Sequence, residues 1–319
     1  MTIEIYLDQN KWIDLARSKK DRDKYSSIHN IYLLLHEAVI NSDVIVPLSS
    51  AHVIELYKVH DPDHRKRIAD VMVDLSQGWT IAPSNALAPK EIELQLGKVF
   101  GFDVQSSICH LGRGVPFAFG VAEEFSGLLN LTDYQARLVN NALDTPEGLR
   151  KQLMSWDETT RFQGITKFQQ ASLEFSGRVE ISRSIGSLYS KTLRKRGYVA
   201  NLTLALQDTI TTILVNNGYT FKDFLDLGKT ELMAFFSSVP TLDVEIEITT
   251  ERNNFWNRRA QPNDMIDIGF LSESVPYTDI VVTEKFWADI LHRKYLDQKY
   301  NTLIFSDLNK LSDVLIKPS

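Results

Sequence analysis

The chain has 319 residues, of which 43% are apolar and 24% charged, an ordinary composition for a globular protein with a sizeable core. One cysteine, Cys109, excludes an internal disulfide framework and a cysteine zinc site, so a reducing cytoplasm is the expected compartment. The formal net charge of −6 excludes a broad non-specific nucleic-acid coat, and no apolar run has the length of a membrane span.

Residues 3–8 (IEIYLD) are short, rich in apolar and aromatic side chains, and end in an acid, which predicts a buried strand closed by Asp8. Ser26 and Ser27 offer caps to a helix with Ile28, Ile31, Tyr32, Leu35, Ala38 and Val39 on one face. A second short strand is expected in residues 44–49 (VIVPLS), with Ser49 or Ser50 capping the helix that carries Glu55. A further helix presents Ile68, Val71, Met72 and Leu75 and stops near Gly78, and residues 79–82 suggest another strand. Residues 98–239 lose the alternating pattern and read as helical, with Pro146 at the first position of a helix after Thr145. Leu242, Val244, Ile246 and Ile248 alternate with acids, and this period of two favours a strand, with a helix start as the alternative for so short a segment. Asn263 then caps a helix holding Asp264 and Asp267, followed by a strand at 279–283, a helix around Phe286 and a strand at 302–306. Strands alternating with helices predict an α/β domain on a mainly parallel sheet, built from residues 1–97 and 240–319. A helical insertion of residues 98–239 interrupts it.

In open parallel sheets, functional groups gather at the carboxyl ends of strands. Asp8 and Glu284 belong there, Glu55 lies on the helix after the second strand, Asp264 and Asp267 share a helical face, and Asp279 opens the strand leading to Glu284. Carboxylates brought together repel one another and resist ionisation, so such a cluster needs cations. Oxygen ligands without cysteine suit Mg²⁺ or Mn²⁺, and an ion of this kind supports hydrolysis of a phosphodiester in RNA or DNA. Four of these acids also have a bland alternative: a turn or cap for Asp8 and Asp279, a first-turn helix acid for Asp264, and a solvated partner of Lys58 for Glu55.

Three blocks together resemble the PIN-domain nucleases. YLDQN is similar to that family's first strand, with Asp8 followed by the small polar Asn10. VIVPLSSAHVIEL is similar to its second strand, hydroxyl turn and helix acid, and NDMIDIGFLSESVPYTDIVVTEKFW to its third block. The resemblance covers the two flanking parts and leaves the helical middle aside. It implies a PIN-like three-layer sandwich and a metal-dependent endonuclease, most often an endoribonuclease, and a toxin or defence effector restrained by a protein partner. Asp8, Glu55 and Asp267 would be the metal core, with Asp267 preferred to Asp264 for its spacing to Thr283. The fourth acid would be Glu284 or Asp279, and Asn10, Ser49 and Thr283 would orient ligands or water. The competing reading is a catalytically silent module acting through its helical region.

Phosphate contacts are expected from Lys11, Arg258, Arg259 and Lys285, and from the densest basic run, residues 191–196 (KTLRKR), which contains Lys191 and Arg194. Trp12, Trp256 and Trp287 are candidates for base stacking, with core packing as the alternative for each. His52 shares a helix face with Glu55, and a structural hydrogen bond is the favoured role for it over metal ligation.

Overall fold

A computed structural model describes residues 2–120, 132–155, 157–186 and 188–316. Strand β1 (Ile3–Leu7) is central and buries Ile5, Tyr6 and Leu7 completely, as a strand covered on both faces must. It pairs in parallel with β2 (Val44–Ile45) on one side and with β5 (Ile280–Val282) on the other, and β6 (Leu303–Phe305) extends the sheet in the order β2-β1-β5-β6. Parallel neighbours need crossovers. The helices Gln9–Lys20 and Ser26–Ile40 make the first crossover, and Lys285–Arg293 and Leu296–Tyr300 make the last. A separate antiparallel pair joins β3 (Trp79–Ile81) to β4 (Leu111–Arg113). The helix after Ser26 begins at Ser26 itself with Tyr25 before it, so neither serine caps it.

The chain divides into two compact units. The first, residues 1–83, 110–169 and 277–319, contains both sheets and a core of Ile5, Leu7, Trp12, Leu35, Leu48, Leu56, Met72 and Val282. The second, residues 84–109 and 170–276, has only helices among its described elements and a core built on Ile92, Leu96, Ile210, Phe224, Phe235 and Phe236. The boundary expected from pattern alone is therefore displaced. Residues 84–97 and 240–276 join the helical unit because Ala88, Ile92 and Leu96 pack with Leu242 and Ile246. Residues 110–169 join the sheet unit, where Leu149 and Leu153 complete its core.

The strand expected over residues 242–248 is the helix Pro240–Arg252. Proline sits in its first turn, where its missing N–H costs nothing. Leu242, Val244, Ile246 and Ile248 are all buried, but so are Asp243, Thr249 and Arg252, so this helix is enclosed on most sides. Its acids are held by partners: Tyr198 Oη donates to Glu245 Oε1 at 2.7 Å, and Lys195 pairs with Glu247. Alternation in the sequence thus reflects paired acids inside a helix rather than a two-faced strand.

Among the described residues no single helix is long and apolar enough to cross a membrane. Helices Lys191–Ala205 and Gln207–Asn216 pass such a test only together, across a 60° bend, and their Val199, Ile210 and Leu214 are buried in the helical core.

Candidate functional site

Parallel pairing carries the ends of β1, β5 and β6 to one edge. The Asp8 amide donates to Val282 O at 2.9 Å and the Thr283 amide to Phe305 O at 2.9 Å, which sets Asp8 beside Thr283 just past the last paired residues. Each chain turns directly into a helix there: Asp8 precedes Gln9–Lys20 and Glu284 precedes Lys285–Arg293, both in extended backbone. Two acids therefore stand at helix N-termini, where partial positive charge favours anions.

Asp8 is only 4% exposed. Burial, with the nearby Glu284 charge added to it, pushes its carboxyl up to about 6, against the downward pull of the Asn10 amide, Lys11 and the Thr283 hydroxyl. Thr283, fully buried, donates from Oγ1 to Asp8 Oδ2 at 3.4 Å. Asn10 donates from Nδ2 to Glu284 Oε1 at 2.6 Å, tying the second acid to the first strand's turn. Lys11 donates from Nζ to Ser306 O at 2.8 Å, bracing the end of β6. Lys285 is exposed at the start of its helix.

A buried network behind β1 fixes the peptide that bears Asp8. The Ser49 amide donates to His52 Nδ1 at 2.9 Å, so that nitrogen carries no hydrogen and Nε2 does. Nε2 then donates to Leu7 O at 2.7 Å, and the Trp12 indole donates to the same carbonyl at 3.1 Å. Burial drives His52 down to about 4, opposed by its bond to Leu7, so the ring is neutral at pH 7. Tyr6 stacks on His52 at 5.0 Å between ring centroids and shares a 2.7 Å hydrogen bond with Ser49 Oγ. Ser49 thus acts through this network. The structural hydrogen bond expected for His52 is present, whereas its partner Leu7 has no signal in the sequence, because it is 45 residues away. Trp12 and Trp287 are fully buried core residues, so neither offers a face to a base.

The other predicted acids fare differently. Glu55, partly buried on the helix Ser50–Tyr57, pairs with Lys58 as its bland alternative foresaw. Asp279 cannot join Asp8 at this edge. It lies before β5, at the opposite end of the strand, where its Oδ2 accepts the Glu4 amide at 2.8 Å. Asp264 is also removed from the metal set. Its fully buried carboxylate accepts from Arg252 Nε at 3.0 Å, Arg258 Nη1 and Nη2 at 2.9 and 2.7 Å, and the Gln261 amide at 2.8 Å. Burial raises its pKa, but the bonds from Arg258, Gln261 and Arg252 outweigh that and hold it below the usual carboxylate range. Asp267 stands one turn later in the helix Asp264–Ser274, half-buried, and belongs to the second unit. Among the described residues no group of three or more His, Cys, Asp and Glu side chains is placed to hold a metal ion.

The basic residues divide in the same way. Arg258 is committed to the Asp264 carboxylate, whereas Arg194 is held by neutral acceptors, Gly186 O, Tyr189 O and Asn254 Oδ1, and keeps its charge. Lys191 and Arg259 are exposed. What the first unit defines is an α/β protein with a buried carboxyl, raised in pKa, at the carboxyl edge of a parallel sheet. No family model matches the chain, and no curated protein or solved structure matches it either.

Proposed function

We propose that the chain is a divalent-metal-dependent phosphodiesterase of PIN-like kind, an endoribonuclease centred on Asp8. The observation that carries this reading is the buried Asp8 carboxyl, held near 6 beside a second acid, Glu284, with Thr283 and Asn10 bonded to the pair. An apolar side chain would be more stable in that place, so the acid is retained at a cost to folding. All four groups offer oxygen or amide contacts and none is sulfur or imidazole, which fits Mg²⁺ or Mn²⁺. Mg²⁺ commonly takes only one or two protein carboxylates and completes its shell with water and substrate phosphate. When bound, such an ion supplies an activated water and stabilises charge on a phosphoryl oxygen. Asp8 and Glu284 would hold it, Thr283 would orient the Asp8 carboxylate, and Asn10 would position Glu284. Exposed Lys285 would meet phosphate. The resemblance also assigns Asp267 and Glu55 to the set, and that assignment rests on the sequence. RNA rather than DNA, a cytoplasmic setting and restraint by a protein partner rest on the same resemblance.

The test is cleavage of a labelled RNA by the purified protein with Mn²⁺. Asp8→Asn and Glu284→Gln are expected to lower the rate by at least about 100-fold with circular dichroism unchanged, a loss typical of removing one electrostatic contributor. Cleavage retained by Asp8→Asn removes the assignment. The Lys58–Glu55 ion pair favours a second reading, a catalytically silent binding module, because it occupies an acid of the expected core. Calorimetry that detects no Mn²⁺ binding to the folded protein would select that reading.

A further inference from the structure

The helical second unit contains a cavity of about 650 Å³, within the ~300–1,000 Å³ usual for small-molecule sites. Its walls combine three arginines, Arg178, Arg183 and Arg194, with three aromatic rings, Tyr189, Tyr198 and Trp256, and include no Asp or Glu.

Two of the three arginines, Arg183 and Arg194, are anchored by hydrogen bonds, and Arg178 is exposed. Arg183 is 5% exposed, and its guanidinium donates to Arg258 O at 2.8 Å, to Phe255 O and to Glu180 Oε1 at 3.1 Å. Its Nε is buried without a hydrogen-bond partner among the described residues. Arg194 spends its bonds on two backbone carbonyls and the Asn254 side-chain oxygen. Neutral acceptors orient a guanidinium without cancelling its charge; among the described residues Arg183 alone of the three forms an ion pair with a carboxylate, that of Glu180, and Arg178 is exposed. On the adjoining helix Glu245 accepts from Tyr198, Glu247 pairs with Lys195 and Glu251 accepts from Asn254. Trp256 is 46% exposed, with Arg183 and Arg194 lying 5.5 and 5.1 Å from its ring centroid, and Tyr189 is 49% exposed. A half-exposed indole and phenol beside fixed guanidiniums present stacking faces and phosphate donors together.

We infer that this cavity binds a nucleoside monophosphate unit, its base against Trp256 and Tyr189 and its phosphate against the arginines. The unit could belong to a free nucleotide or to a single-stranded RNA, and the inference does not depend on cleavage or on metal.

Calorimetry on the full chain in low-salt buffer with EDTA tests it, using 5′-AMP, a short single-stranded RNA and inorganic phosphate as probes. Trp256→Ala and Arg178→Glu are expected to weaken binding of the nucleotide-bearing probes about ten-fold or more, with melting temperature unchanged, and Asp8→Asn to bind normally. Tighter binding of RNA than of AMP identifies the polymer as the source, and the reverse identifies the free nucleotide. No binding of either probe by the wild-type protein overturns the inference, as does binding unaltered in both variants. Phosphate bound as tightly as AMP overturns the stacking half. Because metal is absent throughout, loss of the nuclease reading through Asp8→Asn would leave this result unaffected.

Discussion

Asp8 shows how a single residue records function as instability. Its carboxyl titrates near 3.8 in an unfolded chain and near 6 in the fold, so the native state binds its proton more tightly. Below about pH 4 both states are neutral and nothing is lost. As pH rises through the window from 4 to 6 stability falls, and above 6 the folded protein bears the full cost, about 3 kcal/mol for two pKa units. Asp8→Asn is therefore expected to raise stability by up to that amount at pH 7.5 and to have little effect at pH 4, as read from urea midpoints at the two pH values. An equal effect at both would refute the ionisation cost. His52 slopes the other way. Its folded value near 4 lies below the ordinary 6.5, so its contribution is complete above 6.5 and is lost as pH falls toward 4. The two slopes nearly cancel in the wild type. The Asp8→Asn variant, freed of one, should lose stability more steeply on acidification than the parent.

Between elements, the decisive contact in the second unit is the clasp of the helix Pro240–Arg252 to the helix Asp264–Ser274. Arg252 is 1% exposed and Asp264 fully buried, and Arg258 closes the carboxylate from the far side. Removing one partner leaves a buried charge uncompensated. Asp264→Ala is expected to destabilise by about 3–5 kcal/mol, whereas Arg252→Met with Asp264→Leu should cost much less. Chemical denaturation of the two variants measures the difference, and equal losses would show that the pair matters only for packing. The same clasp explains why this stretch misled pattern reading. Alternating acids on residues 242–248 suggest a solvated strand face, but here they are consumed by Tyr198 and Lys195 inside a helix. Propensity and period are local, and the enclosing partners lie about 50 residues away in the chain.

For the molecule as a whole, ligand binding and stability are linked. A metal that binds only the folded chain should raise its stability by RT ln(1 + [L]/Kd), about 3 kcal/mol at a hundred-fold excess over Kd. Mn²⁺ is expected to raise the melting temperature of the wild type and of Arg178→Glu, and to leave that of Asp8→Asn unmoved in differential scanning calorimetry. A shift that survives in Asp8→Asn would place the ion elsewhere. Of the architecture, the amino-acid sequence by itself determined the parallel strands β1 and β5, the acid that ends β1, and the hydroxyl and acid that follow β5. Short apolar runs, and the polar residues that stop them, are local signals. It did not determine that Asp264 is consumed by a buried arginine clasp. Asp264 and Asp267 look alike three residues apart on one helix, and only the folded chain brings Arg252 and Arg258 onto the first. Nor did it reveal that Leu7 O is gripped by His52 and Trp12, or that the middle of the chain encloses a cavity of arginines and aromatic rings. Ion pairing and burial depend on partners distant in the chain, so they were decided only when the tertiary structure brought those partners within reach.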